Sequence, residues 1–216
     1  NYIEDHRFLT TFAPLVEQLG FESMWTFEHV IIPDEYESRY PYNPQGKIAV
    51  SGSDQFVDSL IALAWVAACT ERIRLGTGVN ILSQTNPLYL AKQASSIDHL
   101  SGGRLMLGLG VGWLKEEFDA LNVPFDDRGP RADEYIDAMT QVWTGETVNF
   151  KGQFLDWHGF SMQPTPAQKP RVPIIVGGTS GPAIRRVVAK GDGWYVIHKD
   201  LDHFRQLMAK LQAECD

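Results

Sequence analysis

Apolar residues Phe8, Phe12, Leu15, Val16 and Leu19 recur at helical spacing and stop at Gly20, a residue suited to the positive φ that closes a helix. The short aromatic-rich run 21–27 that follows is of the kind buried on both faces of a parallel sheet. A polar stretch, 33–54, is punctuated by Pro33, Pro41, Pro44 and Gly46 and carries several tyrosines, which predicts a long loop. Residues 56–70 then read as a helix and 73–79 as a second buried strand. Helix 88–100, a turn at 101–104 and a glycine-rich strand over 105–112 come next, followed by a helix over 131–143. Alternating residues around Gly152 predict a hairpin over 146–160, inside an insertion at about 145–170. Strands at 173–178 and 193–197 flank a helix at 182–190, and a last helix starts near Asp202.

Repeated strand, loop and helix units without antiparallel pairing predict a parallel α/β domain, with too few strands to close an eight-stranded barrel. In such folds ligands bind at the carboxyl ends of the strands. Those ends supply Glu28-His29, Thr77-Gly78-Val79, Gly110-Val111-Gly112-Trp113 and Gly177-Gly178-Thr179-Ser180-Gly181. Glycine there lets a backbone approach a flat ring or a phosphate, although each one alone also suits a tight turn. The last run leads into Pro182, a good first helical residue, so free N–H groups and the helix dipole would face an anion, with hydroxyls from Thr179 and Ser180.

His29 is the catalytic candidate, with Glu28 beside it to orient it or shift its pKa; the competing reading is a histidine satisfied by loop backbone. Trp25 reads as core, and Trp113 is balanced between core and site. Glu116 and Glu117 read as a solvated helical turn, and His99, Gly102 and Gly103 as structural features of the opposite face.

Composition narrows the classes. With 44% hydrophobic and 21% charged residues the chain has the makings of a folded protein, and 216 residues suit one domain spanning 1–216. A net charge of −8 with scattered Lys and Arg argues against nucleic acid as a partner. The most apolar stretch, 60–69, is well short of the ~20 residues a membrane span needs, so no membrane partner is expected. Cys69 and Cys215 have no metal-ligand spacing and fit a reducing, cytoplasmic setting. Gly108, Gly110 and Gly112 lack Rossmann spacing, and no Gly-x-Ser-x-Gly elbow occurs, so nicotinamide, hydrolase and metal chemistry lose ground.

Four runs, LGFESMWTFEHVIIP, ERIRLGTGVNIL, NPLYLAKQASSIDHLSGGRLMLGLGVGWLKEEF and IIVGGTSGPAIRRVVAKGDGW, closely resemble the luciferase-like monooxygenase superfamily, and within it the branch of deazaflavin-dependent oxidoreductases. The resemblance implies a (β/α)₈ TIM barrel holding coenzyme F420, or alternatively FMN, against Thr77, Gly78, Val79, Gly110, Gly112 and Trp113. It also implies a non-prolyl cis peptide at Gly78–Val79, whose bulge backs the middle ring of the cofactor. Gly177, Gly178, Thr179 and Ser180 match the phosphate-binding turn, and His29 matches a histidine acting at the reactive centre. Some relatives carry glutamate at the place of Trp113 and aspartate at that of Glu28; the first difference speaks against a sugar-phosphate dehydrogenase.

The family starts with a strand before the first helix read here and ends with two further strand–helix units. The chain is therefore expected to hold about strands 2–6 of an incomplete barrel. A homodimer acting on a small organic substrate is the family-level expectation. Three activities follow from the resemblance: hydride transfer with F420, monooxygenation with reduced FMN and oxygen, and flavin binding without catalysis.

Overall fold

The computed structural model describes residue 5 and residues 7–216. In chain order the elements are α1 (Phe8–Gln18), β1 (Ser23–Thr26), α2 (Ser59–Cys69), β2 (Arg74–Thr77), β3 (Asn80–Ile81), α3 (Pro87–Leu100), β4 (Leu105–Gly110), α4 (Lys115–Ala120) and α5 (Arg128–Val142). There follow β5 (Val148–Lys151), β6 (Asp156–Phe160), β7 (Ile174–Gly177), α6 (Gly181–Lys190), β8 (Gly193–Tyr195) and α7 (Leu201–Cys215). Five parallel strands in the order β1-β2-β4-β7-β8 form a curled half-barrel sheet, while β5 and β6 pair antiparallel as a separate hairpin. Among the described residues no helix is long and apolar enough to cross a membrane.

Burial on both faces explains why the strands read as continuous apolar runs: five of the six residues of β4 are buried. Leu75, Leu105, Leu107 and Ile174 supply the sheet side of the core, and Leu63, Leu90, Met139 and Trp143 supply the helix side. The one polar atom of buried Trp143 is satisfied, because its Nε1 donates to the Ala91 carbonyl at 2.9 Å. Helix starts follow ordinary capping chemistry: the side chains of Asp58, Asn86, Ser180 and Asp200 each accept a first-turn amide.

At the amino ends of the strands Arg104 closes the layers. Its guanidinium donates to the carbonyls of Ala67, Thr70 and Ile73 and to the Thr70 hydroxyl, while its Nε donates to Ser101 O. The turn before it uses Gly102 and Gly103 at positive φ, in keeping with a structural role for that face.

One element departs from the sequence pattern. The expected second strand is broken: β2 pairs with the first half of β4 (Gly76 opposite Met106), whereas β3 pairs with its second half (Asn80 opposite Leu109). One extra residue is therefore accommodated between them, which makes a bulge at the carboxyl end of the sheet. After β4, the helical turn expected around Glu116 and Glu117 is the six-residue helix α4.

Candidate active site

The bulge contains the cis peptide Gly78–Val79, at the position the resemblance implied. It pushes the Val79 side chain between two neighbouring strand ends. A Cβ on Gly110 would lie 2.5 Å from Val79 Cγ2, and one on Gly177 would lie 2.6 Å from Val79 Cγ1. The ring of Tyr195 occupies the equivalent space over Gly78, 2.6 Å from a Cβ placed there, and at Gly112 the rings and methyls of Phe118 and Ile81 do the same. These glycines thus make room for the protein's own side chains while their backbones line the cleft.

A stability prediction follows. Gly177→Ala is expected to destabilise the fold by about 1–3 kcal/mol through overpacking. Adding Val79→Ala should recover much of that loss, so a double-mutant cycle by urea denaturation should be strongly non-additive.

Thr77 is turned away from this face. Its side chain is buried and donates to the Gly108 carbonyl at 2.7 Å, so of the proposed cofactor contacts it alone does not line the cleft. Glu28, His29, Gly78, Val79 and Trp113 line one cleft of about 1010 Å³ with the Gly177–Ser180 turn, and Gly110 and Gly112 join them. That volume lies at the upper end for ligand pockets.

The partner of His29 is not its neighbour Glu28. His29 Nδ1 lies 3.0 Å from Oε2 of Glu117, with side-chain exposures of 5% and 0%, and the other oxygen of Glu117 accepts the amides of Val30 (2.6 Å) and Ile31 (3.2 Å). The reading of Glu116 and Glu117 as a solvated turn is therefore overturned. Glu116 accepts the amides of Glu37 (2.7 Å) and Ser38 (3.1 Å). Burial opposes its ionisation, yet Ser38 and the surrounding backbone amides outweigh that and hold its carboxyl at about 2. The two carboxylates tie the segment 29–38 onto α4.

Glu28 points to the bulge instead. Oε1 accepts Asn80 Nδ2 at 2.9 Å and Oε2 accepts the Ile81 amide at 2.6 Å. Burial pushes its carboxyl up to about 7 against the pull of the Ile81 amide, with the negative charges of Asp58 and Glu117 adding to the rise.

Aromatic rings flank the cleft on two sides. Trp25, expected in the core, is only half-buried and lines the cleft, its ring over Gly76 and 5.3 Å from that of Tyr195. Opposite, Trp113 meets His29, Tyr36 and Tyr40 edge to face, at centroid separations of 5.9, 5.7 and 5.2 Å. Tyr40 and Tyr42 come from the long loop, which makes the second wall, and the Tyr42 hydroxyl reaches the Gly178–Thr179 turn.

At that turn Gly178 has φ +111° and Ser180 Oγ accepts the Ala183 amide, while the amides of Thr179, Ser180 and Gly181 engage no other group among the described residues. Arg128, which the sequence reading passed over, also lines the cleft, stacked on Phe125 and donating from Nε to the Gly112 carbonyl. Glu117, Tyr195 and Arg128 each follow or end a strand or open a helix on this face, which is the signal that could have found them.

A sequence model of the luciferase-like monooxygenase family matches residues 2–215. An uncharacterized protein of Mycobacterium tuberculosis is 34% identical over 208 residues, covering 96% of this chain and 71% of that protein. An FMNH₂-dependent dimethylsulfone monooxygenase of Pseudomonas putida is 31% identical over 147 residues, covering 67% of this chain and 40% of that protein. In fold, the chain is similar to the coenzyme F420 dependent tetrahydromethanopterin reductase of Methanopyrus kandleri, with a TM-score of 0.76 at 19% identity. That match covers 98% of this chain and 58% of the reductase chain.

Proposed function

The chain belongs to the luciferase-like monooxygenase family, and on that premise we propose that it transfers a hydride between reduced coenzyme F420 and a small organic substrate, with His29 exchanging the accompanying proton. The observation that carries this reading is the His29 ring, almost wholly enclosed at the cleft and held through Nδ1 by a buried carboxylate. Hydride added to the carbon of a C=O or C=N bond leaves the displaced electron pair on the oxygen or nitrogen, which takes a proton from a positioned carrier; the reverse step returns it.

The residues present fit such a cofactor. The unengaged amides of Thr179, Ser180 and Gly181 sit at the start of α6, where the dipole and free N–H groups favour an anion such as a phosphate. Val79 on its bulge supplies an apolar platform, with Trp25 and Tyr195 beside it. When bound, the deazaflavin supplies the hydride. The chain's own part is to hold the anionic end at 179–181, to keep water from the ring face with Val79, Trp25 and Tyr195, and to move a proton at His29 Nε2.

A second reading, an FMN-dependent monooxygenase, is favoured by the similarity to the FMNH₂-dependent enzyme of Pseudomonas putida. Fluorescence titration with F420 and with FMN, paired with oxygen-uptake measurements, separates the two. Saturable F420 binding with oxygen-independent turnover is the expected result. Binding of FMN alone, with oxygen consumption coupled to hydroxylated product, overturns it in favour of the second reading.

A further inference from the structure

We propose that Glu117 is a positioning residue that sets the tautomer of His29, so that the neutral ring carries its proton on Nδ1 and offers Nε2 to the cleft as an acceptor. The proposal rests on the reading that His29 exchanges a proton, but the geometry behind it does not involve a cofactor. Both oxygens of Glu117 are occupied by N–H groups: Oε1 by the amides of Val30 and Ile31, Oε2 by the ring at 3.0 Å. A carboxylate only accepts, so the nitrogen facing it must donate. His29 lines the cleft, and its Nε2 has no partner among the described residues and lies across the ring from the buried carboxylate. The ring can therefore take a proton at Nε2 and return it, and the imidazolium formed in between keeps its other N–H on Glu117.

The backbone makes the assignment testable. The amides of Val30 and Ile31 can only donate, so a glutamine at 117 must give them its single carbonyl oxygen. Its NH₂ then takes the place of Oε2 and faces Nδ1, which has to become the acceptor. Glu117→Gln is thus expected to flip His29 to the Nε2–H form, close to isosterically, and to turn the cleft-facing nitrogen from an acceptor into a donor.

The experiment is long-range ¹H–¹⁵N correlation on the ¹⁵N-labelled, cofactor-free protein, recorded with the ring neutral. In the wild type the Nδ1 resonance should be pyrrole-like and that of Nε2 pyridine-like; in Glu117→Gln the two should exchange character. Turnover of the variant should fall about 100-fold or more, with the loss in kcat rather than KM. A pyridine-like Nδ1 in the wild type overturns the proposal, as does a folded Glu117→Gln protein that keeps the Nδ1–H form. If the variant does not fold, the wild-type spectrum alone decides. An Nδ1–H wild type that binds no deazaflavin would sink the proposed activity and leave the role of Glu117 standing.

Discussion

His29→Asn is expected to lower kcat by about 10²–10⁴-fold, the span typical of a lost general acid or base, while the dissociation constant for the cofactor stays within a few-fold of wild type. Asparagine is the informative choice because its amide nitrogen can still donate to Glu117, so the buried carboxylate keeps a partner, yet no atom stands at the position of Nε2. His29→Phe should behave differently. It leaves Oε2 of a fully buried Glu117 without its donor at 3.0 Å, which should cost about 1–3 kcal/mol of stability in addition to activity. Steady-state kinetics beside a fluorescence titration of cofactor, and urea denaturation of both variants, resolve the two effects. Turnover of His29→Asn within tenfold of wild type would remove His29 from the proton step and leave it as a packing partner of Trp113, whose ring it meets edge-on at 5.9 Å.

Why His29 was legible and its partner was not is a matter of distance along the chain. A histidine just past a buried strand is visible as a strand-end residue, but the carboxylate that holds it lies 88 positions later. Two adjacent glutamates in a polar turn signal solvent by default, because burying a carboxylate is costly unless N–H groups wait for it. Here the waiting groups are the amides of Val30, Ile31, Glu37 and Ser38, and their availability depends on how the long loop folds. The fold itself could be read because its strands are buried on both faces and its longer helices are periodic, as in Leu105–Gly110 and Gly181–Lys190.

Features set by a single inserted residue are equally hidden. The bulge that splits the second strand into Arg74–Thr77 and Asn80–Ile81 has no period of its own, yet it decides that Thr77 turns into the sheet and Val79 into the cleft. The glycines around it line the cleft, and the packing of Val79 and Tyr195 against them is invisible in the sequence. Trp25 departs for a different reason: a large aromatic ring in a strand is usually core, but with no side chain on Gly76 opposite, this one lies over that glycine at the cleft wall.

Glu28 should make the folded protein lose stability as pH rises, the reverse of an ion-paired acid. Burial raises its carboxyl from an ordinary 4.5 to about 7 in the folded state. The unfolded chain therefore releases this proton first, and the stability associated with the neutral carboxyl is complete below about pH 4.5, declines between about 4.5 and 7, and is gone above that. At about 1.4 kcal/mol per pH unit the full loss is about 3.5 kcal/mol. Glu28→Gln keeps a carbonyl oxygen for the Ile81 amide and cannot ionise. Its NH₂ would face Asn80, whose Oδ1 is buried without a partner and can turn to accept it. Urea denaturation from pH 5 to pH 8 should then show the wild type falling by about 2.5 kcal/mol relative to the variant. Parallel curves would mean that Glu28 is ionised throughout and that the Ile81 amide outweighs its burial. A divergence of the expected sign would instead mean that the cleft wall carries a carboxyl still partly protonated near pH 7, held on Asn80 and the Ile81 amide.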